Sequence, residues 1–289
     1  MKILLTGSTG ILGSAIIQKS PDFDSQIVTL SLKDSWNICF NPQKIKSYDF
    51  DVLVHAAANT DVDYCEQNLE QCYRDNYLLT EMLAQACYAA GRKFVFISST
   101  GVYGNNSKSP YCEFHEPNPT THHHRAKLLA EKSVLAISYT NLVLRIGWLF
   151  GGDFHLTKNF VARRIEEAKL ARANGKNLSA NNGQVGSPTY STDVAEQIHK
   201  YIAADLNGVY NIVNSGVATR FEYVKQIITF AGINVQVTPA SSTSFKRCAK
   251  VSPNESATMW KSDSIHIDKL RCWKEALHEY MATYTVQLL

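Results

Sequence analysis

The chain has 289 residues and a net charge of +3, with 45% apolar residues and with lysines and arginines scattered along its length. This length suits a large domain with a smaller lobe, and the weak, dispersed charge argues against nucleic acid as a partner. No apolar run is long enough to cross a bilayer, and the first residues form an apolar run and a glycine turn rather than a signal peptide. Seven cysteines without a Cys-x-x-Cys pair are typical of reduced thiols, so we expect a cytoplasmic protein with no membrane partner.

The first thirteen residues indicate a dinucleotide-binding loop. Residues 2–6 form an apolar run that predicts a buried parallel strand, and the motif TGSTGILG follows at 6–13. Gly7 permits the tight turn, Gly10 lets a pyrophosphate approach the backbone, and Gly13 lets the next helix lie close to the sheet. A purely structural turn is the alternative. The predicted cofactor contacts in this loop are Gly7, Thr9, Gly10, Ile11, Leu12 and Gly13.

The end of the second predicted strand, at 27–30, is expected to select the cofactor. An acidic residue at this point binds the ribose 2′-hydroxyl, whereas a small residue beside a cation admits a 2′-phosphate. The chain has Ser31 and Lys33 here, which favours NADP(H). Asp34 lies close enough to favour NAD(H) instead, and a solvated turn that contacts neither cofactor is a further alternative.

The following segments predict further parallel strands whose carboxyl ends meet at the same sheet edge. These strands are expected at 51–55, 93–97 and 141–145. Small residues after the first of them leave room for a cofactor to lie across the edge, although a packed sheet corner is an alternative. The small residues are Ala56, Ala57 and Ala58.

Six motifs follow one another along the chain in an order that one family shares. They are TGSTGILG at 6–13, HAAANTDVD at 55–63, a helix that carries Asn76, FISSTGVYG at 96–104, LRIGWLFG at 144–151 and GQVGSPTYSTDVA at 183–195. In this series the chain resembles the extended short-chain dehydrogenase/reductases, and within them it is most similar to the dTDP-4-dehydrorhamnose reductase family.

The resemblance implies an α/β fold, in which a Rossmann-type doubly wound parallel sheet carries a smaller α/β substrate lobe. The NAD(P)-binding Rossmann domain is expected over residues 1–152, completed by segments within about 190–215. Residues 153–289 are expected to form mainly the substrate-binding lobe.

The reaction implied by the resemblance is the reduction of a sugar ketone. A hydride moves from the nicotinamide to the ketone carbon, a tyrosine protonates the carbonyl oxygen, and a hydroxyl after the fourth strand binds that oxygen. A lysine four residues after the tyrosine binds the nicotinamide ribose. On this chain the hydroxyl is Ser99 and the lysine is Lys127, but His123 and His124 occupy the positions of the tyrosine and the glycine after it. The resemblance also implies a cofactor contact at Asn76 and substrate contacts at Ser99, Thr100, Trp148 and Ser187.

The histidine at position 123 leaves two functions open. An imidazolium is a stronger acid than a phenol near neutral pH, so His123 can act as the proton donor. Lys127 stands one helical turn away, however, and its positive charge disfavours protonation of His123. The first hypothesis is an NADP(H)-dependent reductase, or an epimerase-like relative, that acts on a nucleotide-activated deoxysugar in cell-surface polysaccharide biosynthesis. The second is a catalytically impaired protein that keeps the NAD(P) pocket for binding or regulation.

Three adjacent histidines are not expected to bind a metal. Consecutive residues on a helix point about 100° apart, so the side chains of His122, His123 and His124 cannot close on one ion. His115 and the cysteines offer no matching spacing.

The second lobe departs from the family after Val237. Ser252 precedes Pro253 where the family has an arginine that holds the nucleotide phosphates, so another cation is expected to supply the charge. Trp148 is expected either to stack on a sugar or base or to belong to the core. The candidate cations are Lys246, Arg247 and Lys250.

The resemblance also implies an oligomeric state, although the sheet needs the same apolar stripes. The family's dimer helices correspond to apolar-striped segments at 71–90 and 125–138, which favours a homodimer. A last helix, with Trp273, Leu277, Tyr280 and Tyr284 on one face, is predicted over 268–284.

Overall fold

Six parallel strands form the central sheet of the computed structural model, which describes residues 1–267 and 269–287. The central sheet consists of β1 (Lys2–Thr6), β2 (Gln26–Leu30), β3 (Val52–His55), β4 (Lys93–Ser99), β5 (Leu142–Ile146) and β10 (Gly208–Ile212). Smaller sheets contain β6 (Trp148–Phe150), β7 (Leu178–Asn181), β8 (Val185–Gly186), β9 (Pro188–Tyr190), β11 (Ala218–Thr219) and β12 (Val237–Ala240). The helices are α1 (Ile11–Lys19), α2 (Leu32–Phe40), α3 (Val62–Gln67), α4 (Leu69–Tyr73), α5 (Leu79–Ala89), α6 (His122–Ile137), α7 (Phe160–Ala173), α8 (Ser191–Ala203), α9 (Arg220–Phe230), α10 (Trp260–Ser264) and α11 (Trp273–Gln287).

The order of the strands identifies the fold. The sheet runs β10-β5-β4-β3-β1-β2, so the chain order reverses between β1 and β3. Helices cover both faces of the sheet. One apolar cluster packs α1 and α8 on one face, and a second packs α2, α5 and α6 on the other. The predicted Rossmann-type doubly wound sheet is confirmed, and ligands of such sheets bind where the strand order reverses.

The local sequence explains where the elements near this point begin. β1, β3 and β5 carry nearly unbroken apolar runs, which suit strands that are buried on both faces. The hydroxyl of Thr121 accepts a hydrogen bond from the His124 amide at 3.3 Å and so caps α6. Thr219 and Glu222 form a capping box at the start of α9. Both caps set the positions from which the first side chains of these helices emerge.

A smaller lobe surrounds its own apolar cluster. Three two-stranded sheets, β6-β9, β7-β12 and β8-β11, lie beside α7, α9 and α11. Phe150, Ile165, Ile227 and Leu277 are among the buried residues of this cluster. Phe150 belongs to β6, which follows β5 after a single residue, so the smaller lobe continues directly from the central sheet.

Two predicted helices differ from the observed ones. The segment 71–90 is not one regular helix, because a π-helical turn at Arg74–Leu78 lies between α4 and α5 and contains Asn76. The last helix begins at Trp273, while Asp268 and the side chain of Tyr284 lie outside the described residues. No helix in the described part of the chain is both long and apolar enough to cross a membrane.

Candidate functional site

A cavity of about 680 Å³ opens where the strand order reverses. Its walls come from the carboxyl ends of β1, β3, β4 and β5, from the first turns of α1 and α6, and from segments of the smaller lobe. The predicted site residues that line it are Gly7, Thr9, Gly10, Ile11, Leu12, Gly13, Ala56, Ala57, Ala58, Ser99, His123, Lys127 and Trp148. Residues from both halves of the sequence therefore meet in one space.

The glycine loop has the shape that a dinucleotide phosphate requires. Gly7 has φ of +71°, and a Cβ at this position would stand 2.7 Å from the Ala57 amide nitrogen. A Cβ at Gly13 would overlap the carbonyl group of Gly7, so only glycine lets α1 lie this close to the turn. No side chain caps α1, and the amide groups of its first turn have no acceptors within the helix. A diphosphate fits this cradle of free N–H groups.

A buried hydrogen-bond pair joins the strands on either side of the reversal. The hydroxyl of Thr6 lies 2.8 Å from Nδ1 of His55 and accepts a hydrogen bond from the Ala57 amide at 3.2 Å. His55 is fully buried, and burial with the nearby charge of Lys127 lowers its pKa to about 3. A buried neutral imidazole therefore contacts the Thr6 hydroxyl, which in turn holds the Ala57 amide against the end of β1.

Ser31 and Lys33 lie outside the cavity wall. Both are exposed, and Ser31 caps α2 by accepting a hydrogen bond from the Asp34 amide at 3.1 Å. The Ser31 hydroxyl also donates to the Asp34 carboxylate at 2.6 Å. The carboxylate therefore stands beside the small residue that follows β2, where a ribose 2′-substituent of the cofactor is expected.

Three other predicted site residues are buried away from the cavity surface. The Asn76 side chain accepts a hydrogen bond from the Asn59 amide at 3.0 Å and donates to the Asn59 carbonyl at 3.1 Å. Ser187 hydrogen-bonds the backbone of Ala257, and Thr100 is buried in the turn after β4. In this structure Asn76 and Ser187 thus hold neighbouring loops in place.

Lys127 and His123 stand one helical turn apart on the cavity wall. Nζ of Lys127 donates a hydrogen bond to the Ile97 carbonyl at 2.9 Å, and burial lowers the pKa of Lys127 to about 8. His123 is 5% exposed, and neither ring nitrogen has a hydrogen-bond partner among the described residues. Burial, followed by the charges of His124 and Lys127, lowers the pKa of His123 well below its ordinary value. His123 and Lys127 therefore line the same cavity, and the two buried nitrogens of the His123 ring have no hydrogen-bond partner in the described ranges.

A buried ion pair supports this wall from behind. Glu131, four residues after Lys127, pairs with Arg145 of β5 at 2.6 Å and accepts a hydrogen bond from Ser98 at 2.5 Å. Glu131 and Arg145 are both almost fully buried, and removing one partner of such a pair costs about 3–5 kcal/mol. The pair therefore ties α6 to the ends of β4 and β5, next to Ser99.

The opposite end of the cavity carries an aromatic ring between charged groups. The indole Nε1 of Trp148 donates to the buried Glu255 carboxylate at 2.6 Å. The Arg220 guanidinium lies 3.4 Å from the centre of the Trp148 ring. Burial lowers the pKa of Arg220 to about 10. Gln184 also lines this end and lies 3.5 Å from the Arg220 Nε. Such a group of side chains can bind hydroxyl and phosphate groups of a ligand.

Of the three cations proposed from the sequence to bind the nucleotide phosphates, one lines the cavity and two do not. Arg247 lines the cavity and pairs with Asp63 at 3.1 Å, whereas Lys246 and Lys250 are exposed and outside the wall. Ser252 is buried, its hydroxyl lies within hydrogen-bonding distance of the carbonyl groups of Gly104 and Asn254, and it accepts a hydrogen bond from the Asn254 amide. Ser252 thus holds the loop and does not face the cavity.

Sequence reasoning missed several residues of the wall. His124 was recognised only as a replacement of the family's glycine, yet it lines the cavity and is 3.5 Å from the Ser99 hydroxyl. The replacement of the family's glycine by a histidine was the one feature of the sequence that could have marked His124 as a site residue. Gln184 belongs to the motif at 183–195, but the motif gave no reason to single out this residue. Arg220 and Glu255 lie outside all the motifs, so no local pattern marked them.

Metal coordination has no support in the described ranges 1–267 and 269–287. No group of three or more histidine, cysteine, aspartate or glutamate side chains there could hold a metal ion. The imidazole of His122 lies 3.2 Å from the Tyr73 hydroxyl, while His124 contacts Thr121. The adjacent histidines therefore contact different partners.

The chain matches the RmlD substrate binding domain family over residues 1–286. The protein belongs to this family. The dTDP-4-dehydrorhamnose reductase of Mycobacterium tuberculosis is 30% identical over 290 residues, which cover 97% of this chain and 92% of that protein. The spore coat polysaccharide biosynthesis protein SpsK of Bacillus subtilis is 27% identical over 285 residues, which cover 97% and 96% of the two chains.

A solved structure extends the similarity to the fold. The dTDP-4-dehydrorhamnose reductase of Bacillus anthracis, in complex with NADP, has a TM-score of 0.90 at 27% identity. The match covers 98% of this chain and 99% of that one. The family resemblance predicted from the motifs is confirmed.

Proposed function

We propose that the protein is an NAD(P)H-dependent reductase, with NADP(H) favoured, that acts on a nucleotide-activated deoxysugar in polysaccharide biosynthesis. The observation that carries the proposal is that Ser99, His123 and Lys127 line one cavity with the glycine loop. The similarity to dTDP-4-dehydrorhamnose reductases and to a spore coat polysaccharide protein supports the substrate class. The NADP complex of the Bacillus anthracis relative supports the cofactor.

The glycine loop and α1 would hold the cofactor diphosphate, and Ala56, Ala57 and Ala58 would leave room for its adenosine and nicotinamide halves. The Lys127 ammonium would bind the nicotinamide ribose. When bound, the reduced cofactor supplies the hydride for the ketone carbon. Trp148, with Arg220, would contact the nucleotide sugar at the other end of the cavity.

His123 would act as the general acid that protonates the carbonyl oxygen, while the Ser99 hydroxyl would bind that oxygen. His123 lines the cavity, and its two buried ring nitrogens have no hydrogen-bond partner among the described residues, which supports this role. The lowered pKa of His123 makes the neutral imidazole the main form at neutral pH, so the reduction would proceed faster as the pH falls.

We also infer the organisation in which this reaction takes place. The Rossmann part would comprise residues 1–152 and segments within about 190–215, and 153–289 would mainly bind substrate. The site would work in the cytoplasm, consistent with seven free cysteines. Exposed Leu78, Tyr88 and Leu129 on or beside α5 and α6 support a homodimer through these helices. Elution at the monomer mass across working concentrations would reject the homodimer.

A second function is favoured by one observation. Because His123 is mainly neutral at neutral pH, the cavity can keep its cofactor-binding wall while lacking an effective acid. The protein would then be a catalytically impaired NAD(P)-binding protein with a regulatory or binding role.

Purified protein mixed with NADPH and dTDP-4-dehydrorhamnose separates the two functions. The reductase proposal expects loss of NADPH absorbance and formation of the reduced sugar, whereas the binding protein would take up NADPH without oxidising it. In the reductase, His123→Phe should lower kcat about 100-fold or more with NADPH affinity retained. Equal turnover by the His123→Phe protein would reject His123 as the acid.

A further inference from the structure

We propose that His124 is a positioning residue that orients the Ser99 hydroxyl so that its hydrogen points to the substrate carbonyl oxygen. The proposal rests on the proposed function, since it gives His124 a part in the same reduction. His124 stands where the family has a glycine, so the family pattern assigns this side chain no role.

A continuous chain of buried polar contacts joins α6 to the turn after β4. The Thr121 hydroxyl lies 3.0 Å from Nδ1 of His124, and Nε2 of His124 lies 3.5 Å from the Ser99 hydroxyl. The Ser99 hydroxyl also accepts a hydrogen bond from the Gly101 amide at 3.1 Å. Thr121 is fully buried and His124 is 6% exposed, so this chain is largely shielded from bulk water.

The pattern of donors and acceptors determines which atom donates each hydrogen bond between Thr121, His124 and Ser99. The Thr121 oxygen already accepts the His124 amide, so its hydrogen needs an acceptor, and the nearby Nδ1 of His124 provides one. With Nδ1 as acceptor, the neutral ring carries its hydrogen on Nε2 and donates it to Ser99. The Ser99 oxygen then accepts from both Gly101 and His124, and its own hydrogen is free to donate into the cavity.

Tight packing holds the imidazole in this position. A Cβ on Gly101 would overlap the Cε1 and Nε2 atoms of His124, so the ring lies directly against the backbone of the turn that follows Ser99. The ring also contacts His123 edge to face, with ring centres 4.9 Å apart. His124 therefore has little freedom to leave Ser99.

The orientation matters because negative charge develops on the carbonyl oxygen during hydride transfer. A hydroxyl that is already turned to donate stabilises this charge without reorientation. The hydride goes to the carbon, the proton on the new hydroxyl comes from His123, and Ser99 keeps its own proton throughout. His124 acts through Ser99 and does not itself exchange a proton with the substrate.

A double-mutant cycle on the whole protein tests this link through kcat for dTDP-4-dehydrorhamnose and NADPH. We expect Ser99→Ala to lower kcat about 100-fold and His124→Phe to lower it about tenfold. The double variant should match Ser99→Ala alone, because the His124 effect passes through the serine hydroxyl. The proposal would be overturned if the loss of kcat in the double variant equalled the product of the two single losses. It would also be overturned if the His124→Phe protein kept the wild-type kcat.

His124→Gln serves as the matched variant, because its side-chain N–H can donate to Ser99 in place of Nε2. It should recover part of the kcat lost in His124→Phe, with NADPH affinity and KM close to those of the wild type. A merely structural role would instead lower the melting temperature and kcat together in both variants, and it would give no recovery.

Nitrogen NMR of the histidine rings provides a readout that does not need turnover. The proposal expects the Nε2–H form for His124, and a shift of its Nε2 signal in Ser99→Ala that is larger than any shift of the His123 signals. A His124 ring protonated at Nδ1 instead would reject the hydrogen-bond direction. If the wild type oxidises no NADPH, the proposed reduction and the positioning role within it fail, while the ring signals still decide the contact with Ser99.

Discussion

Two parts of the cavity wall, the glycine-loop end and the histidine end, differ in how much of the family pattern they keep. At the glycine loop, residues 7–13 keep the pattern, and their backbone forms the cradle that a diphosphate requires. At the histidine end, which we define as Ser99, His123, His124 and Lys127, two positions have changed identity. Cofactor binding depends on shape and free backbone amides, whereas proton transfer depends on the pKa of one side chain. Side-chain replacements at the histidine end therefore alter proton transfer directly and leave the backbone cradle for the cofactor unchanged.

The largest expected effect tests the glycine-loop end. Gly13→Ala should weaken NADPH binding about 10- to 100-fold, because its Cβ overlaps the Gly7 carbonyl and forces the loop to move. Calorimetric titration with NADPH measures the change, and thermal unfolding shows whether the variant is folded. Gly175→Ala is the control, because its Cβ meets nothing within 4 Å and the residue lies outside the cavity wall, although its φ of +63° adds a backbone strain that Gly13 does not have. Unchanged affinity in the folded Gly13→Ala protein would contradict the cradle.

The pH dependence of kcat tests the histidine end. Because the pKa of His123 is lowered, its acid form is scarce at neutral pH, and kcat should rise up to about tenfold for each unit that the pH falls. Measurements between about pH 5.5 and 7.5 suit this purpose, because Lys127, with a pKa of about 8, stays mainly protonated there.

His123→Tyr is the matched variant for this profile. A phenol stays protonated across the range, so the slope should disappear in the variant while NADPH affinity is retained. If the wild type and the variant have the same profile, proton donation by His123 is excluded.

A smaller effect is expected at the opposite end of the cavity. Trp148→Ala should raise KM for the nucleotide sugar about five- to tenfold with NADPH affinity unchanged, since the aromatic contact with the ligand is lost. Trp148→Phe keeps a ring but lacks the Nε1 donor to Glu255, so it separates stacking from the hydrogen bond. A KM that is unaffected in Trp148→Ala would show that the ring serves only the core.

The smallest effect concerns the choice between NADPH and NADH. Lys33→Ala should weaken NADPH binding about threefold and leave NADH unchanged, because exposed charges contribute little free energy. Asp34→Asn should favour NADPH by a similar factor, since it removes a negative charge beside Ser31. If each variant changes the affinities for NADPH and NADH by the same factor, neither Lys33 nor Asp34 determines the cofactor preference.

Predictions from the sequence succeeded where adjacent residues carry the signal. Apolar runs and glycine spacing predicted the parallel sheet and the loop after β1, and the family motifs placed Ser99 and Lys127 near it. The regular helix at 71–90 was wrong in detail, because Asn76 lies in a π-helical turn where its side chain binds the Asn59 backbone. That contact spans 17 residues and leaves no periodic pattern.

The sequence by itself determined the order of the elements, the glycine cradle and the replacement of a tyrosine by His123, because each depends on neighbouring residues. Only the tertiary structure decided that His124 reaches Ser99, that Glu255 and Arg220 surround Trp148, and that Ser252 turns away from the cavity. These contacts join segments separated by 25 residues for Ser99 and His124 and by up to 148 residues for Gly104 and Ser252. Burial sets the pKa of each ionisable group only after the segments have packed.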